Sequence, residues 1–182
     1  MISSNRPSGR QAVRPPGHPQ TTRVAIALGS NLGDREANLA FGLSALPGFI
    51  TNLQQSSWHD TAPVGVSPDQ PRYLNGVVIG ETALTARELL ERLLAIEQAA
   101  GRTRPSPMAP RTLDLDVILF GDARIEEPGL VVPHPRFRER LFVLEPLAEV
   151  APGWIDPVTG RLIKELLSAR LREQPTAPRR PS

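Results

Sequence analysis

The chain has 182 residues, with 21 basic and 19 acidic side chains, a formal net charge of +2 and no cysteine. The lack of cysteine excludes disulfides and thiol catalysis and fits a reducing compartment. Because residues 24–169 hold 13 basic and 18 acidic side chains, the body lacks the positive charge typical of a nucleic-acid-binding domain, and no nucleic-acid partner is expected.

Both ends of the chain are predicted to be disordered extensions. Residues 1–22 and 174–182 are rich in Pro and Arg and contain few side chains that could enter a core. The first segment has no apolar stretch typical of a secretory signal, and no apolar run is long enough to cross a membrane. We therefore expect one cytoplasmic domain over residues 23–173, acting as a monomer without a membrane partner.

Hydrophobic periodicity and turn residues predict alternating strands and helices within this domain. Asp34 is the candidate N-cap of the first helix, and Thr85 with Glu88 forms a candidate capping box for the second, which Gly101 closes. In chain order, we predict strands over 23–28, about 51–60 and 73–83, the strand that carries Asp114 and Asp116, and helices after Asp34 and over 86–100, 138–149 and 160–172. This order predicts an α+β fold, a ferredoxin-like antiparallel sheet with helices on one face.

Two carboxylates lie side by side at the start of an apolar strand. In PRTLDLDVILF, residues 110–120, the side chains of Asp114 and Asp116 point to the same face, about 7 Å apart along the strand. Two anions so placed repel each other, so a cation must compensate them. Mg²⁺ is a candidate, because it binds one or two carboxylates and completes its shell with water and phosphate oxygens. An ion pair with arginine is the alternative.

The loop before this strand is rich in cations that suit phosphate. Arg102, Arg104 and Arg111 lie in RTRPSPMAPR, a stretch with three prolines and no acid. The planar guanidinium fork matches phosphate oxygens, so carboxylates and arginines together indicate a polyphosphate site. The usual phosphate-binding loop is absent, and the only lysine, Lys164, lies in the last predicted helix.

Several other residues are candidates on their local pattern. His134 lies between two prolines that keep the backbone extended, so its imidazole is either structural or directed at phosphate. Tyr73 and Asn75 share one strand face, which suits a flat heterocycle or a plain surface pair. Glu97 lies on the same helix face as Leu90 and Leu94, at a partly buried site or at the end of the apolar stripe.

Taken together, the segments resemble the 6-hydroxymethyl-7,8-dihydropterin pyrophosphokinase family of folate biosynthesis, over about residues 24–170. The resemblance rests on ALGSNLGD at 27–34, TAPVG at 61–65, DQPRYLN at 69–75, IEQAAGRTR at 96–104, APRTLDLDVILFGD at 109–122 and VPHPRFRER at 132–140. It implies transfer of pyrophosphate from ATP to the pterin hydroxymethyl group, with release of AMP.

The resemblance also implies roles for individual residues. Asp114 and Asp116 would bind two Mg²⁺ ions that arrive with ATP, and the loop arginines Arg102 and Arg111 would assist the transfer. ATP contacts would come from Glu97, Arg104, Arg111, Val117, His134 and Arg140. Pterin contacts would come from Thr61, Val64, Tyr73, Asn75, Met108 and Phe142.

One stretch departs from the family pattern. Where the family commonly has an aromatic or basic residue followed by Gly-Pro, this chain has Pro107-Met108-Ala109-Pro110, so Met108 replaces an aromatic cover over the pterin or the cover is missing. Two other function classes stay open from the residues alone. They are a non-catalytic nucleotide- or nucleic-acid-binding module that uses the basic tails, and a two-metal nuclease.

Overall fold

The computed structural model describes residues 21–63, 70–101 and 109–173. The predicted extensions therefore lie outside the described residues, except for Thr21 and Thr22. The elements are β1 (Thr22–Ser30), α1 (Arg35–Ala45), β2 (Thr51–Gln55), β3 (His59–Thr61), β4 (Tyr73–Thr82), α2 (Ala86–Ala99), β5 (Asp114–Phe120), β6 (Ile125–Glu127), β7 (Leu130–Val132), α3 (Leu141–Val150) and α4 (Ile163–Arg172). None of the described helices is long and apolar enough to cross a bilayer.

The main sheet is antiparallel, with strand order β2-β4-β1-β5, and β3 also pairs with β4. This order and the connecting helices confirm the predicted α+β, ferredoxin-like fold. β1 is central, so its last residues lie between the first residues of β4 and of β5. Gly29 pairs with Asn75 on one side and with Asp114 on the other. The register therefore brings three distant segments together at one end of the sheet.

Helices cover both faces of the sheet, which corrects the prediction of helices on one face. On one face Ile26 packs with Leu39 of α1 and Leu93 of α2 in one buried cluster. On the other face Ala25 packs in a second cluster with Leu144 of α3 and Ile163 of α4. The physical reason is that β1 and β4 are buried on both sides, and such strands need apolar cover on both.

The capping of α1 and α2 follows the sequence predictions. Asp34 caps α1 by accepting the N–H of Ala37 at 3.0 Å. Thr85 and Glu88 form the predicted capping box of α2. Gly101 follows α2 with a φ of +77°, a left-handed conformation that glycine adopts without steric cost.

Three predicted elements differ from the structure. The strand predicted over 51–60 is broken at residues 56–58 into β2 and β3. At the break, the ring of Trp58 covers Gly76, where an added Cβ would lie 2.5 Å from two ring carbons. The hairpin β6–β7 was not predicted. α3 begins at Leu141 rather than 138, after a short 3-10 turn, and α4 begins at Ile163 rather than 160.

A buried ion pair fixes the segment that leads into α3. The side chain of Asp156 is fully buried and accepts from Nε and Nη2 of Arg138 at 2.7 and 2.6 Å. Thr159 donates to the same carboxylate through its backbone N–H and its hydroxyl. Burial raises the pKa of Asp156, but the hydrogen bonds from Arg138 and Thr159 outweigh it and lower the pKa to about 2. The pair thus ties the turn before α3 to the turn before α4.

We predict that Asp156→Asn lowers the free energy of unfolding by about 3 kcal/mol at pH 7, because it leaves a largely buried guanidinium without its anion. Urea denaturation monitored by circular dichroism measures this change. Asp122→Asn is the control, since Asp122 is exposed and such surface changes stay within about 0.5 kcal/mol.

The same pair should make stability depend on acid. Because the folded pKa of Asp156 lies below the ordinary value of 3.8, its stabilisation is complete above about pH 4 and is lost as the pH falls toward 2. The stability difference between the wild type and Asp156→Asn should therefore narrow over this interval. A difference that stays constant from pH 7 to pH 2 would contradict this assignment.

Candidate active site

A cavity of about 190 Å³ lies at the end of the sheet where β1 finishes and β4 and β5 start. It is on the face that carries α3, because its floor residues Ala27 and Gly29 continue the row begun by the buried Ala25. The start of α3 and the turn before it form the opposite wall. The apolar core on this face thus ends at the cavity.

The two aspartates of β5 both face this cavity. Asp114 lies opposite Gly29 in the register, and Asp116 lies opposite Ala27. The residues between and after them, Leu115 and Val117, point to the other face and are buried in its core. The residues beside the carboxylates on the neighbouring strand are therefore small, and they leave space above this face of the sheet.

A cation of the protein already offsets part of the carboxylate repulsion. The Nη1 atom of Arg111 forms a close ion pair with Oδ2 of Asp114, and both side chains are largely shielded from solvent. Asp116 is more open, with 41% of its side chain exposed. The structure thus contains the arginine pairing that the sequence left open, and it leaves the more exposed carboxylate toward solvent.

His134 lies at the edge of the site, next to Asp116. Its Nε2 is 4.0 Å from Oδ2 of Asp116, and its Nδ1 accepts the backbone N–H of Arg136 at 3.2 Å. Burial, and then the positive charges of Arg140 and Arg136, lower the pKa of His134 to about 4. The imidazole is therefore neutral near pH 7, with its proton on Nε2.

Two arginines line the wall opposite the aspartates. Arg136 and Arg140 border the cavity, and within the described residues neither forms a salt bridge. Burial, and then the charge of Arg136, lower the pKa of Arg140. The guanidinium of Arg140 lies 5.4 Å from the ring centre of Phe142. Two neighbouring cations without a carboxylate partner favour an anionic ligand.

The remaining wall is uncharged and partly aromatic. Tyr73, Asn75, Thr61 and Phe142 line it. Asn75 is 8% exposed, and its Nδ2 donates to Oγ1 of Thr61 at 2.7 Å. Burial raises the pKa of Tyr73, so its phenol is neutral near pH 7. The cavity therefore has a charged half and a neutral half.

Comparison with known proteins identifies the family. The chain matches the family described as 7,8-dihydro-6-hydroxymethylpterin-pyrophosphokinase (HPPK) over residues 25–152. The chain belongs to the HPPK family. It is 44% identical over 158 residues to the 2-amino-4-hydroxy-6-hydroxymethyldihydropteridine pyrophosphokinase of a Synechocystis strain, covering 85% of this chain and 80% of that protein. It is 49% identical over 127 residues to the protein of the same name from Bacillus subtilis, covering 69% and 75%.

Longer proteins contain a similar domain. The chain is 43% identical over 134 residues to a mitochondrial folate synthesis bifunctional protein of Arabidopsis thaliana, covering 73% of this chain but 24% of that protein. A crystal structure of wild-type Plasmodium falciparum HPPK-DHPS has a TM-score of 0.67 at 12% identity, over 84% of this chain. The chain spans 45% of that structure's chain, and at this identity the likeness concerns the fold alone.

The HPPK assignment confirms the pyrophosphokinase interpretation of the sequence over the nuclease and the non-catalytic binding module. The structure brings eight of the predicted site residues to one cavity. They are Thr61, Tyr73, Asn75, Arg111, Asp114, Asp116, Arg140 and Phe142. His134 joins them through Asp116. Val64, Arg102, Arg104 and Met108 lie outside the described residues, so their roles stay predictions.

Two predicted ATP-contacting residues lie away from the cavity lining. Val117 is 5% exposed and belongs to the core beneath the sheet. Glu97 is 1% exposed, and its Oε1 accepts the N–H of Leu115 at 2.7 Å. Because β5 is an edge strand, this N–H faces away from β1, and Glu97 satisfies it. Glu97 thus holds the strand between the two aspartates, and its contact with ATP stays a prediction, as does that of Val117.

Sequence reasoning missed the small residues of the floor and one cation. Ala27, Gly29 and Gly76 line the cavity, as does Arg136. Ala27 and Gly29 lie within ALGSNLGD, but only the strand register shows that they lie opposite the aspartates. Arg136 lies two residues after His134 within VPHPRFRER, and this position in the motif was its signal.

Proposed function

We propose that this chain transfers pyrophosphate from ATP to the hydroxymethyl group of 6-hydroxymethyl-7,8-dihydropterin and releases AMP. The observation that carries the proposal is the division of one cavity into a charged half and a neutral half. The carboxylate pair and the arginines suit a polyphosphate, and the amide and aromatic wall suits a flat heterocycle. Relatives that carry the pyrophosphokinase name support the assignment.

The charged half is suited to the triphosphate of ATP. Arg111, Arg136 and Arg140 contribute three guanidinium groups to the cavity against two carboxylates. Guanidinium groups bind phosphate oxygens in a fixed geometry and keep their charge at all relevant pH values. We propose that Arg111 and Arg140 contact the phosphates together with Arg102, Arg104 and His134.

The carboxylate pair fits Mg²⁺ that arrives with the nucleotide. The described residues contain no group of three or more His, Asp or Glu side chains able to hold a metal ion. Mg²⁺ commonly binds one or two carboxylates and takes its other ligands from water and phosphate. We propose that Asp114 and Asp116 hold two ions with ATP. A metal ion bound there would neutralise phosphate charge and lower the pKa of a coordinated hydroxyl group.

The neutral half is suited to the pterin. Asn75 presents an amide whose orientation is fixed by its hydrogen bond to Thr61, so this amide can form hydrogen bonds with the polar edge of a heterocycle. Tyr73 and Phe142 offer ring faces for stacking. We propose that Val64 and Met108 complete this pocket.

The transfer requires no covalent intermediate on the protein. Among the described residues that line the cavity, Thr61 has the only aliphatic hydroxyl group, and this hydroxyl already accepts a hydrogen bond from the amide of Asn75. The pterin hydroxyl oxygen therefore attacks the β-phosphorus directly, and its proton leaves to solvent. The bond from the β-phosphorus to the bridging oxygen breaks, and that oxygen departs with AMP. The chain contributes positioning and charge stabilisation.

We predict that Asp114→Asn and Asp116→Asn each lower turnover on the order of 10²-fold, because each removes a charge that the phosphate–metal unit requires. Turnover is measured with ATP, Mg²⁺ and the hydroxymethyl pterin by separating AMP from ADP. Asp122→Asn, just beyond the end of the same strand, is the matched control and should keep wild-type turnover. ADP as the product of the wild type would reject pyrophosphoryl transfer, and normal turnover in both site variants would reject the role of the pair.

We also predict that Gly29→Ala lowers kcat/KM for the pterin about tenfold, the size expected from losing one well-oriented hydrogen bond. An added Cβ at Gly29 would lie 2.9 Å from Oδ1 of Asn75, so the amide must shift from its place beside Thr61. Gly153→Ala is the control, since a Cβ there has no neighbour within 4 Å among the residues described. An unchanged kcat/KM in Gly29→Ala would show that the amide position does not matter.

A further inference from the structure

Asn31 is a buried amide that lies just after β1 and outside the lining of the cavity. It is 1% exposed. Its backbone N–H donates to the carbonyl of Arg111 at 3.0 Å, and its Oδ1 accepts the N–H of Arg111 at 2.7 Å. Asn31 therefore satisfies both backbone polar groups of Arg111. The two bonds extend the β1–β5 pairing beyond its last ladder pair, with a side-chain oxygen in place of a backbone carbonyl.

The same amide holds a second segment. Nδ2 of Asn31 donates to the carbonyl of Pro71 at 3.3 Å. Pro71 lies two residues before Tyr73, which begins β4 and lines the neutral half of the cavity. Arg111 lines the charged half and pairs with Asp114. One buried side chain thus bonds to a segment from each half of the site.

We propose that Asn31 is a positioning residue that couples the phosphate half of the site to the pterin half. Its Oδ1 fixes the backbone from which Arg111 reaches Asp114, and its Nδ2 fixes the approach to Tyr73. An amide suits this task because it offers an acceptor on one side and a donor on the other. The inference rests on the proposed function, because it assigns the two halves to ATP and to the pterin.

The neighbouring Asn38 provides a matched control. Its Nδ2 donates to the carbonyl of Leu32 at 2.9 Å and to Oγ of Ser30 at 3.3 Å. From the first turns of α1 it therefore holds the same β1–α1 turn and has the same side-chain chemistry, but within the described residues its hydrogen bonds reach neither Arg111 nor Pro71. A change at Asn38 measures the effect of disturbing this turn or adding charge to it.

The decisive variant is Asn31→Asp, which has the same size as the natural residue. In this variant the carboxylate still accepts the N–H of Arg111. The N–H donor to the Pro71 carbonyl is lost, and a negatively charged oxygen lies against that carbonyl instead. The dissociation constants are measured by calorimetry, for α,β-methylene-ATP with Mg²⁺ and for the hydroxymethyl pterin. We expect pterin binding to weaken about tenfold, with nucleotide binding within about threefold of the wild type. Asn38→Asp should leave both dissociation constants within about twofold of the wild type. If Asn31→Asp and Asn38→Asp weaken ligand binding equally, the proposal is overturned.

A second variant, Asn31→Ala, removes both side-chain bonds. We expect both ligands to bind about tenfold more weakly in the folded protein, and we expect the nucleotide analogue to enhance pterin binding less than it does in the wild type. A merely structural role would lower the melting temperature but leave both dissociation constants of the folded protein, and the enhancement of pterin binding by the nucleotide analogue, unchanged. If Asn31→Ala does not fold, Asn31→Asp alone decides.

The wild-type reaction distinguishes a failure of the proposed function from a failure of the role of Asn31. If the wild type forms AMP but pterin binding in Asn31→Asp stays within threefold, or nucleotide binding weakens as much as pterin binding, the role of Asn31 is overturned and the proposed function stands. If the wild type does not form AMP from ATP and the pterin, the proposed function fails, and the inference fails with it.

Discussion

The repulsion between two carboxylates on one strand face is the constraint around which the site is organised. Asp114 and Asp116 can face the same cavity only because other groups compensate their charge and hold their backbone. Arg111 pairs with the first aspartate, and Glu97 fixes the N–H of the residue between them from the opposite side of the strand. Asp116 is the more exposed of the two carboxylates, and a metal ion bound there would add positive charge beside it.

The two-sided core explains how an antiparallel sheet can support such a charged site. One face is covered by α1 and α2, whereas α3 and α4 cover only part of the other. Along β1 on that second face, Ala25 is packed in the core, and Ala27 and Gly29 line the cavity. Where no helix covers the sheet, polar side chains from β4 and β5 replace apolar ones. The buried pair of Arg138 and Asp156 holds the turn that brings Arg140 to the same place.

The sequence predicted what local chemistry determines and missed what long-range register determines. The cap at Asp34, the capping box at Thr85 and the alternation through β5 depend on neighbours in the chain, so they could be predicted. The break at residues 56–58 depends on Trp58 packing over Gly76 from another strand. The contribution of Gly29 depends on its being paired with Asp114 and Asn75 at once. Such partners cannot be derived from spacing, although the family resemblance supplied the main site residues.

Metal binding tests the central claim most directly, because the carboxylate pair alone provides too few ligands for a tight site. Mn²⁺ is counted by equilibrium dialysis on the full chain, with and without α,β-methylene-ATP, in the wild type and in Asp116→Asn. A metal site that the two aspartates form together with the nucleotide predicts two Mn²⁺ ions per bound nucleotide in the wild type, weak binding without nucleotide, and fewer bound ions in the variant. Equally tight Mn²⁺ binding without nucleotide, or an unchanged count in Asp116→Asn, would contradict it.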